Sequence, residues 1–251
     1  MTISIGESMK KIIIMGATSG IGHELAKIYI QKGWRVGIAG RRQDPLSSFK
    51  DEFPEQVEFE VIDVQQKDAP EKLLSLIKKL GGVDIYLHSS GIGYQNPNLI
   101  IETEVNTAKT NVVGFTQLID TIFHYFESQS QGHIAIISSI AGTKGLGVAP
   151  AYSATKRFQN TYIDALEQLS RIKKIKITFT DIKPGFVQTE LLKGGGGYPL
   201  LMQPLKVAQI IDKALQGKKR RVVIDWRYKI IVFFWKLIPA SLWKILPVKN
   251  K

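Results

Sequence analysis

The chain has 251 residues, enough to bury a sizeable core in one large α/β domain or two small ones. With 44% hydrophobic and 22% charged residues it has an ordinary globular composition, and the lack of cysteine excludes disulfides and thiolate chemistry, as fits a reducing cytosol. The formal net charge of +12 is uneven: residues 218–251 hold ten basic side chains against Asp225 alone, a net of +9, which leaves +3 for the other 217 residues.

The first nine residues, "MTISIGESM", lack a basic region followed by an apolar stretch. They do not resemble a signal peptide, and a cytoplasmic location is expected. From there, apolar runs of strand length alternate with amphipathic runs of helix length. The strands are "KIIIM" (11–15), "RVGIA" (35–39), "VEFEVI" (57–62), "VDIYLH" (83–88), "HIAIIS" (133–138), "KITFTDI" (176–182) and "RVVID" (221–225). Helical spacing falls near 21–32, 69–80, 103–128, 151–172 and 204–216. Strand then helix, repeated, predicts an α/β fold: a Rossmann-like, doubly wound parallel sheet of about seven strands with helices on both faces. Residues 1–225 read as a single catalytic domain and 226–251 as a basic, aromatic tail. In such sheets ligands bind beyond the carboxyl ends of the strands, so residues that carry chemistry belong just after a strand or at a helix start.

Directly after the first strand comes "GATSGIG", Gly16 to Gly22. Glycines at 16, 20 and 22 allow a tight turn and a close approach to a pyrophosphate, and the free amides of the next helix favour its charge. After the second strand the chain reads "IAGRRQD". Gly40 leaves empty the place where an NAD site generally holds a carboxylate, and Arg41 and Arg42 supply positive charge for a 2′-phosphate, so NADP(H) is favoured over NAD(H). Asp63, ending the third strand, is expected near the adenine.

"PAYSATK" (150–156) puts Tyr152 and Lys156 four apart, on one helix face. With this composition about 0.8 Tyr-x-x-x-Lys match arises by chance, so the meaning of the pair rests on its surroundings. "GATSGIG", then Ser138-Ser139, then "YSATK", in this order, resemble the short-chain dehydrogenase/reductase family over residues 10 to about 225. The resemblance implies a catalytic set of Ser139, thirteen residues before Tyr152, with Tyr152, Lys156 and Asn111 of "TNVVGF". It implies a cofactor site of Gly16, Thr18, Ser19, Gly20, Ile21, Gly22, Arg41, Arg42, Asp63, Val64, Ser90, Gly91, Tyr152 and Lys156, completed by Pro184, Gly185, Val187 and Thr189 of "KPGFVQT". Met15 stands where a threonine is usual. The usual Asn-Asn-Ala-Gly is here "HSSG", His88 to Gly91, whose small residues still let the chain pass close to a cofactor. The four histidines show no ligand spacing, so no metal site is expected and His88 reads as a buried structural residue.

Free tyrosine titrates near 10, too high for efficient proton transfer at neutral pH. A nearby ammonium and an oxidised nicotinamide favour the phenolate, and a drop of roughly three units needs about 4 kcal/mol. By the resemblance, Ser139 polarises the substrate oxygen, Lys156 also binds the nicotinamide ribose, and Asn111 holds a water that links Lys156 to solvent. The expected function is NADP-dependent interconversion of a ketone and a secondary alcohol; the alternative is a catalytically silent NADP-sensing or scaffold protein of the same fold. A lid over "ELLKGGGGYPLLMQP", with mobile glycines and Leu191, Leu192, Tyr198, Leu200, Leu201 and Met202 as an apolar cover, points to a hydrophobic small-molecule substrate. No nucleic-acid-reading motif accompanies the basic tail. Its uncharged runs, 230–235 and 237–243, are far short of the ~20 residues that span a bilayer. If helical, it groups Lys229, Lys236 and Lys244 on one face until Pro239 interrupts it, as suits an anionic membrane surface; a subunit-packing arm is the other reading. The resemblance implies a homodimer or homotetramer through the helices over 103–128 and 151–172.

Overall fold

A computed structural model describes residues 9–192 and 197–248. Seven strands form one sheet in the order β3-β2-β1-β4-β5-β6-β7, and every pairing is parallel. They are β1 Lys11–Met15, β2 Arg35–Gly40, β3 Val57–Val61, β4 Ile85–His88, β5 Gln131–Ile137, β6 Lys176–Pro184 and β7 Arg221–Ile224. The helices are α1 Gly20–Gln31, α2 Gln43–Glu52, α3 Ala69–Leu80, α4 Ile101–Ala108, α5 Phe115–Ser128, α6 Pro150–Ile172, α7 Pro204–Gln216, α8 Trp226–Leu237 and α9 Ala240–Trp243.

Strand alternation decides which core each residue enters. On β1, Ile12 and Ile14 join Leu25 and Tyr29 of α1 and Val207, Ile211 and Leu215 of α7. Ile13 and Met15 face the other way, with Leu73 and Leu76 of α3, Leu118 and Ile122 of α5, and Ile163 of α6. Both faces of the sheet are therefore dry, which is why its strands read as continuous apolar runs.

Strand order reverses between β1 and β4, so the chains leaving these strands diverge and open a crevice at their carboxyl ends. The structure differs from the expected elements in two places there. α2 follows Arg42 directly, where the sequence reads as a charged loop; Pro45 lies within its first turn, where proline is tolerated. The helix expected over 103–128 begins at Ile101 and is broken by a π-helical turn at Lys109–Gly114. This wider turn presses Gly114 against Val64: a Cβ at Gly114 would stand 2.5 Å from the Val64 carbonyl oxygen.

Close packing is tight enough to test by adding one methyl group. A Cβ at Gly132 of β5 would fall 2.1 Å from the ring of Phe126 on α5, whereas one at Gly147 meets nothing within 4 Å. Gly132→Ala is expected to lower stability by about 1–3 kcal/mol through overpacking, and Gly147→Ala to stay within about 0.5 kcal/mol. Chemical denaturation of both variants checks the contrast.

Candidate active site

The glycine turn occupies the crevice as its spacing requires. Gly16 (φ +95°) and Gly20 (φ +60°) use the left-handed region that glycine enters without steric cost. A Cβ at Gly22 would lie 2.2 Å from the Gly16 carbonyl oxygen, so only glycine lets α1 start this close to β1. The first amides of α1 face a site with no side-chain cap from Ser19, which leaves them for an anion. Next to the turn, a Cβ at Gly16 would stand 2.8 Å from the Ser90 nitrogen, and one at Gly91 would stand 3.4 Å from Lys156 Nζ. Turn, β4 loop and lysine thus form one closely packed floor, with no room for a side chain at Gly16 or Gly91. The open amides of α1 at one end and Lys156 at the other suit a dinucleotide laid along it.

At the adenosine side, Thr18 packs on Gly40: a Cβ there would meet the threonine methyl at 2.7 Å. A carboxylate-bearing side chain at position 40 has no room. Arg42 donates to Thr18 Oγ1 at 3.0 Å and pairs with Glu190 at 3.0 Å, while Ser19 Oγ donates to the same carboxylate at 3.1 Å. Both partners of this ion pair are well exposed, so it contributes at most about 1 kcal/mol and yields readily to a stronger anion. Arg41 is exposed beside it. Asp63 accepts from the Gln65 amide at 3.0 Å, fixing the turn after β3. Val64 is buried against Gly114. On the opposite wall a Cβ at Gly20 would reach the Thr189 methyl at 3.0 Å, so the segment after β6, with Pro184, Gly185 and Val187, closes over the glycine turn. Ile21 packs on the core beneath it.

The four expected catalytic side chains converge beyond β4 and β5. Ser139 leaves β5 in extended conformation and begins the short 3-10 turn Ile140–Thr143, its Oγ accepting from the Ala141 amide. Tyr152 and Lys156 lie on the first turns of α6, started by Pro150. The lysine is 5% exposed; its Nζ donates to the Ile137 carbonyl at 3.1 Å and to Gln159 Oε1 at 3.0 Å, and it lies 5.9 Å from the Tyr152 ring centre. A Cβ at Gly93 would touch that ring at 2.5 Å. Asn111 sits fully buried in the π turn. Its side chain clamps the β4 loop, accepting from the Ile92 amide at 2.9 Å and donating to the Ile92 carbonyl at 2.7 Å.

Burial governs the charges here. Burial pushes the Tyr152 phenol above its ordinary value near 10, and a hydrogen bond with Ser139 opposes this without reversing it. The lowered tyrosine expected from the sequence is therefore absent from the protein by itself: desolvation outweighs a lysine that does not touch the hydroxyl. Lys156 is held down to about 8, chiefly by burial, with the Asp181 charge pulling the other way. His88 is buried as expected; its Nδ1 shares a 3.0 Å hydrogen bond with the Tyr86 hydroxyl. Burial and, secondarily, the Lys156 charge push it to about 3, so it stays neutral.

Three contributors escape a reading of the sequence. Gln159 Nε2 donates to the Asn111 carbonyl at 3.0 Å while its Oε1 receives Lys156, so an amide side chain spans the gap where the resemblance places a water. Asp181, 1% exposed on β6, accepts from Ser138 Oγ at 2.5 Å and from Asn160 Nδ2 at 3.1 Å, which fixes the strand end that carries Ser139. Asn160 and Gln159 read only as polar residues on a long helix, and nothing in their spacing points inward. Of the apolar cover, Leu191 and Leu201 are exposed, but Met202 is buried in the core and bridges to Val187; it is part of the wall. Gly194–Gly196 lie outside the described residues.

The sequence matches the family model described as short chain dehydrogenase over residues 10–195. An uncharacterized oxidoreductase of Myxococcus xanthus is 29% identical over 242 residues, covering 94% of this chain and 95% of that protein. Among solved structures, actinorhodin polyketide ketoreductase with NADPH superposes with a TM-score of 0.74 at 21% identity, covering 86% of this chain and 95% of that one. ElxO with NADP bound gives 0.77 at 21% identity, covering 88% and 99%.

The state of Lys156 carries a signature in stability. Between about 8 and the ordinary 10.5 the unfolded chain binds a proton that the folded chain does not, so this group's contribution to stability rises with pH across that window. Its full span is on the order of 3 kcal/mol. Relative to Lys156→Met, the parent should gain stability between pH 8 and 10.5 in urea unfolding; a pH-independent difference would contradict the assignment.

Proposed function

The chain belongs to the short-chain dehydrogenase family and is an NAD(P)-dependent oxidoreductase; we propose that it interconverts a ketone and a secondary alcohol with NADP(H), on a hydrophobic substrate. The observation that carries this reading is the closely packed floor from Gly16 through Ser90 and Gly91 to Lys156, which gives a dinucleotide one path from the amides of α1 to the Tyr152 hydroxyl. Gly16, Thr18, Ser19, Gly20, Ile21 and Gly22 hold the phosphates, Asp63 and Val64 flank the adenine, and Val187 and Thr189 meet the nicotinamide end. When bound, the cofactor supplies hydride to the substrate carbon or removes it.

The chain's own residues handle the oxygen. Ser139 donates a hydrogen bond to the substrate oxygen. Tyr152 gives that oxygen a proton during reduction and takes it back during oxidation. Lys156 binds the ribose hydroxyls, and its charge favours the phenolate that forms when Tyr152 gives up its proton. Burial works against that phenolate, so the ammonium has to be brought closer or better oriented than it stands here. Release of Lys156 from Gln159 to a ribose would do this. Gln159 would stay anchored to the Asn111 carbonyl, beside a place the resemblance gives to water.

NADP(H) is favoured over NAD(H) because Thr18 closes position 40 and Arg42 reaches across Thr18. Arg42 and Ser19, which hold the Glu190 carboxylate here, would hold a 2′-phosphate in its stead, with Arg41 adding charge. NADP(H) accompanies both of those similar structures, and the ketoreductase among them suits a carbonyl substrate. The apolar lip of Leu191, Tyr198, Leu200 and Leu201 supports a hydrophobic substrate over a sugar phosphate. Exposed Ile101, Val105 and Val113 along α4 and the π turn suit a homodimer or homotetramer contact, and the tail suits contact with a membrane surface in a protein otherwise at home in the cytoplasm.

Tyr152→Phe is expected to lower ketone reduction by at least about a thousandfold while NADPH binding, followed by its fluorescence, changes less than about threefold. Undiminished turnover removes the assignment. Arg42→Ala is expected to weaken NADPH about tenfold and leave NADH unchanged; an equal effect on both would show that the arginine reads no phosphate.

A further inference from the structure

The tail is neither loose nor separate from the active site. Asp225 caps α8, accepting from the Arg227 amide at 3.1 Å, and Tyr228 and Val232 on its inner face enter the core at 2% and 5% exposure. Its outer face is the reverse of what a water-facing helix carries. Trp226, Ile230, Phe233, Phe234 and Leu237 are all exposed, from 49% to 67%, and at the helical turn angle they fall within an arc of about 100°. Lys229 and Lys236 flank this arc on one side and Arg227 on the other. Past Pro239, which ends the helix, Leu242, Ile245 and Leu246 are exposed as well, around Lys244.

Charge says what covers this face. No acidic side chain occurs in residues 226–251. Lys229, Lys236 and Lys244 form no ion pair among the described residues. An apolar arc of Trp and Phe edged by the unpaired Lys229 and Lys236 on one side, with Arg227 held by Asp225 at 2.6 Å on the other, is complementary to an anionic lipid surface, with rings at the depth of the headgroups and ammonium groups among the phosphates. No described helix is long and apolar enough to cross a membrane.

The same segment is tied to the chain after β6 and to the loop after Ser139. The Tyr228 hydroxyl receives the Phe186 amide at 3.1 Å and donates to the Pro199 carbonyl at 2.9 Å, and its ring lies where a Cβ at Gly185 would stand, 2.1 Å away. One residue therefore fastens α8 to the chain at both Phe186 and Pro199. On the other side, Lys144 Nζ donates to the Ile238 carbonyl at 2.7 Å and Trp243 Nε1 to the Gly145 carbonyl at 2.7 Å, tying the tail to the loop that follows Ser139.

We infer that residues 226–248 dock this protein on an anionic bilayer and that its substrate is a ketone or alcohol drawn from that lipid phase. The second half rests on the hydrophobic-substrate reading above; the first does not. The face is open in a single copy, and the cationic rim would set a second copy's lysines against its own.

Full-length protein is sedimented with vesicles of equimolar phosphatidylglycerol and phosphatidylcholine, and with vesicles of phosphatidylcholine alone. Binding to the anionic vesicles should be at least about tenfold tighter and weaken with salt. Phe233→Ser/Phe234→Ser and Lys229→Glu/Lys236→Glu should each lose about tenfold, with unchanged circular dichroism and melting temperature because these side chains are exposed. Kinetically, both variants should match the parent on a water-soluble ketone and fall about tenfold in kcat/KM on a long-chain ketone held in the anionic vesicles. Absence of vesicle binding by the parent overturns the proposal, as does a concentration-dependent dimer that the same variants abolish while vesicle binding is absent. If vesicle binding follows the variants but no ketone is reduced, docking stands and the catalytic reading fails. If ketones are reduced and vesicles are ignored, the reverse holds.

Discussion

A lysine ammonium buried with only a carbonyl and an amide oxygen to receive it is the constraint around which the rest of this structure is arranged. Leaving a charge so placed without a carboxylate partner costs several kcal/mol, and each neighbouring element has a feature that offsets part of that cost. β5 ends so that the Ile137 carbonyl points at Nζ. α6 sets Gln159 one turn further along the same face. The π turn presents the Asn111 carbonyl to the other end of the Gln159 amide, which an unbroken helix would have kept for its own ladder. Asp181 lies deeper, pairing with Lys183 at 3.2 Å, and favours the charged lysine from a distance. In the proposed reading, ribose hydroxyls would offer the lysine better acceptors than it has alone.

Much of this was legible in the sequence because it depends on backbone. The glycine turn, the alternation of strand and helix and the order of the Ser, Tyr and Lys motifs all follow from steric or topological requirements that leave few residue choices. Gly22 is a case in point, since no other residue fits against the Gly16 carbonyl. What stayed hidden depends on side-chain direction. The π turn shifts the helical phase by a single residue, so the apolar spacing over 103–128 looks unbroken. α2 is short, polar and carries Pro45, so its helical character is settled by packing Leu46 and Phe49 on the sheet. Gln159, Asn160 and Asp181 are polar residues whose inward aim only the fold reveals.

Tyr152 shows where sequence reasoning about chemistry stops. Proximity on one helix face suggested that Lys156 would ease the release of the tyrosine's proton. The two do meet at the crevice, yet burial acts on both in the same direction, away from charge. In the proposed reading their pairing would become productive once a polar ligand lies between them and the glycine turn. The tail is a second such case: read alone it is a basic, aromatic appendage, whereas Tyr228 ties it to Phe186 and Pro199, and Trp243 and Lys144 tie it to the loop after Ser139.

The central claim is that the floor from Gly16 to Lys156 and the Tyr152 hydroxyl serve one hydride and proton transfer to a carbonyl. Its most direct test is a panel of aliphatic, steroid and lipid ketones incubated with NADPH or NADH deuterated at the transferable position, with products read by mass spectrometry. The account predicts a secondary alcohol carrying deuterium on its carbinol carbon, formed faster with NADPH. No labelled alcohol from any ketone with either cofactor, and no oxidation of the matching alcohols by NADP+, would contradict it.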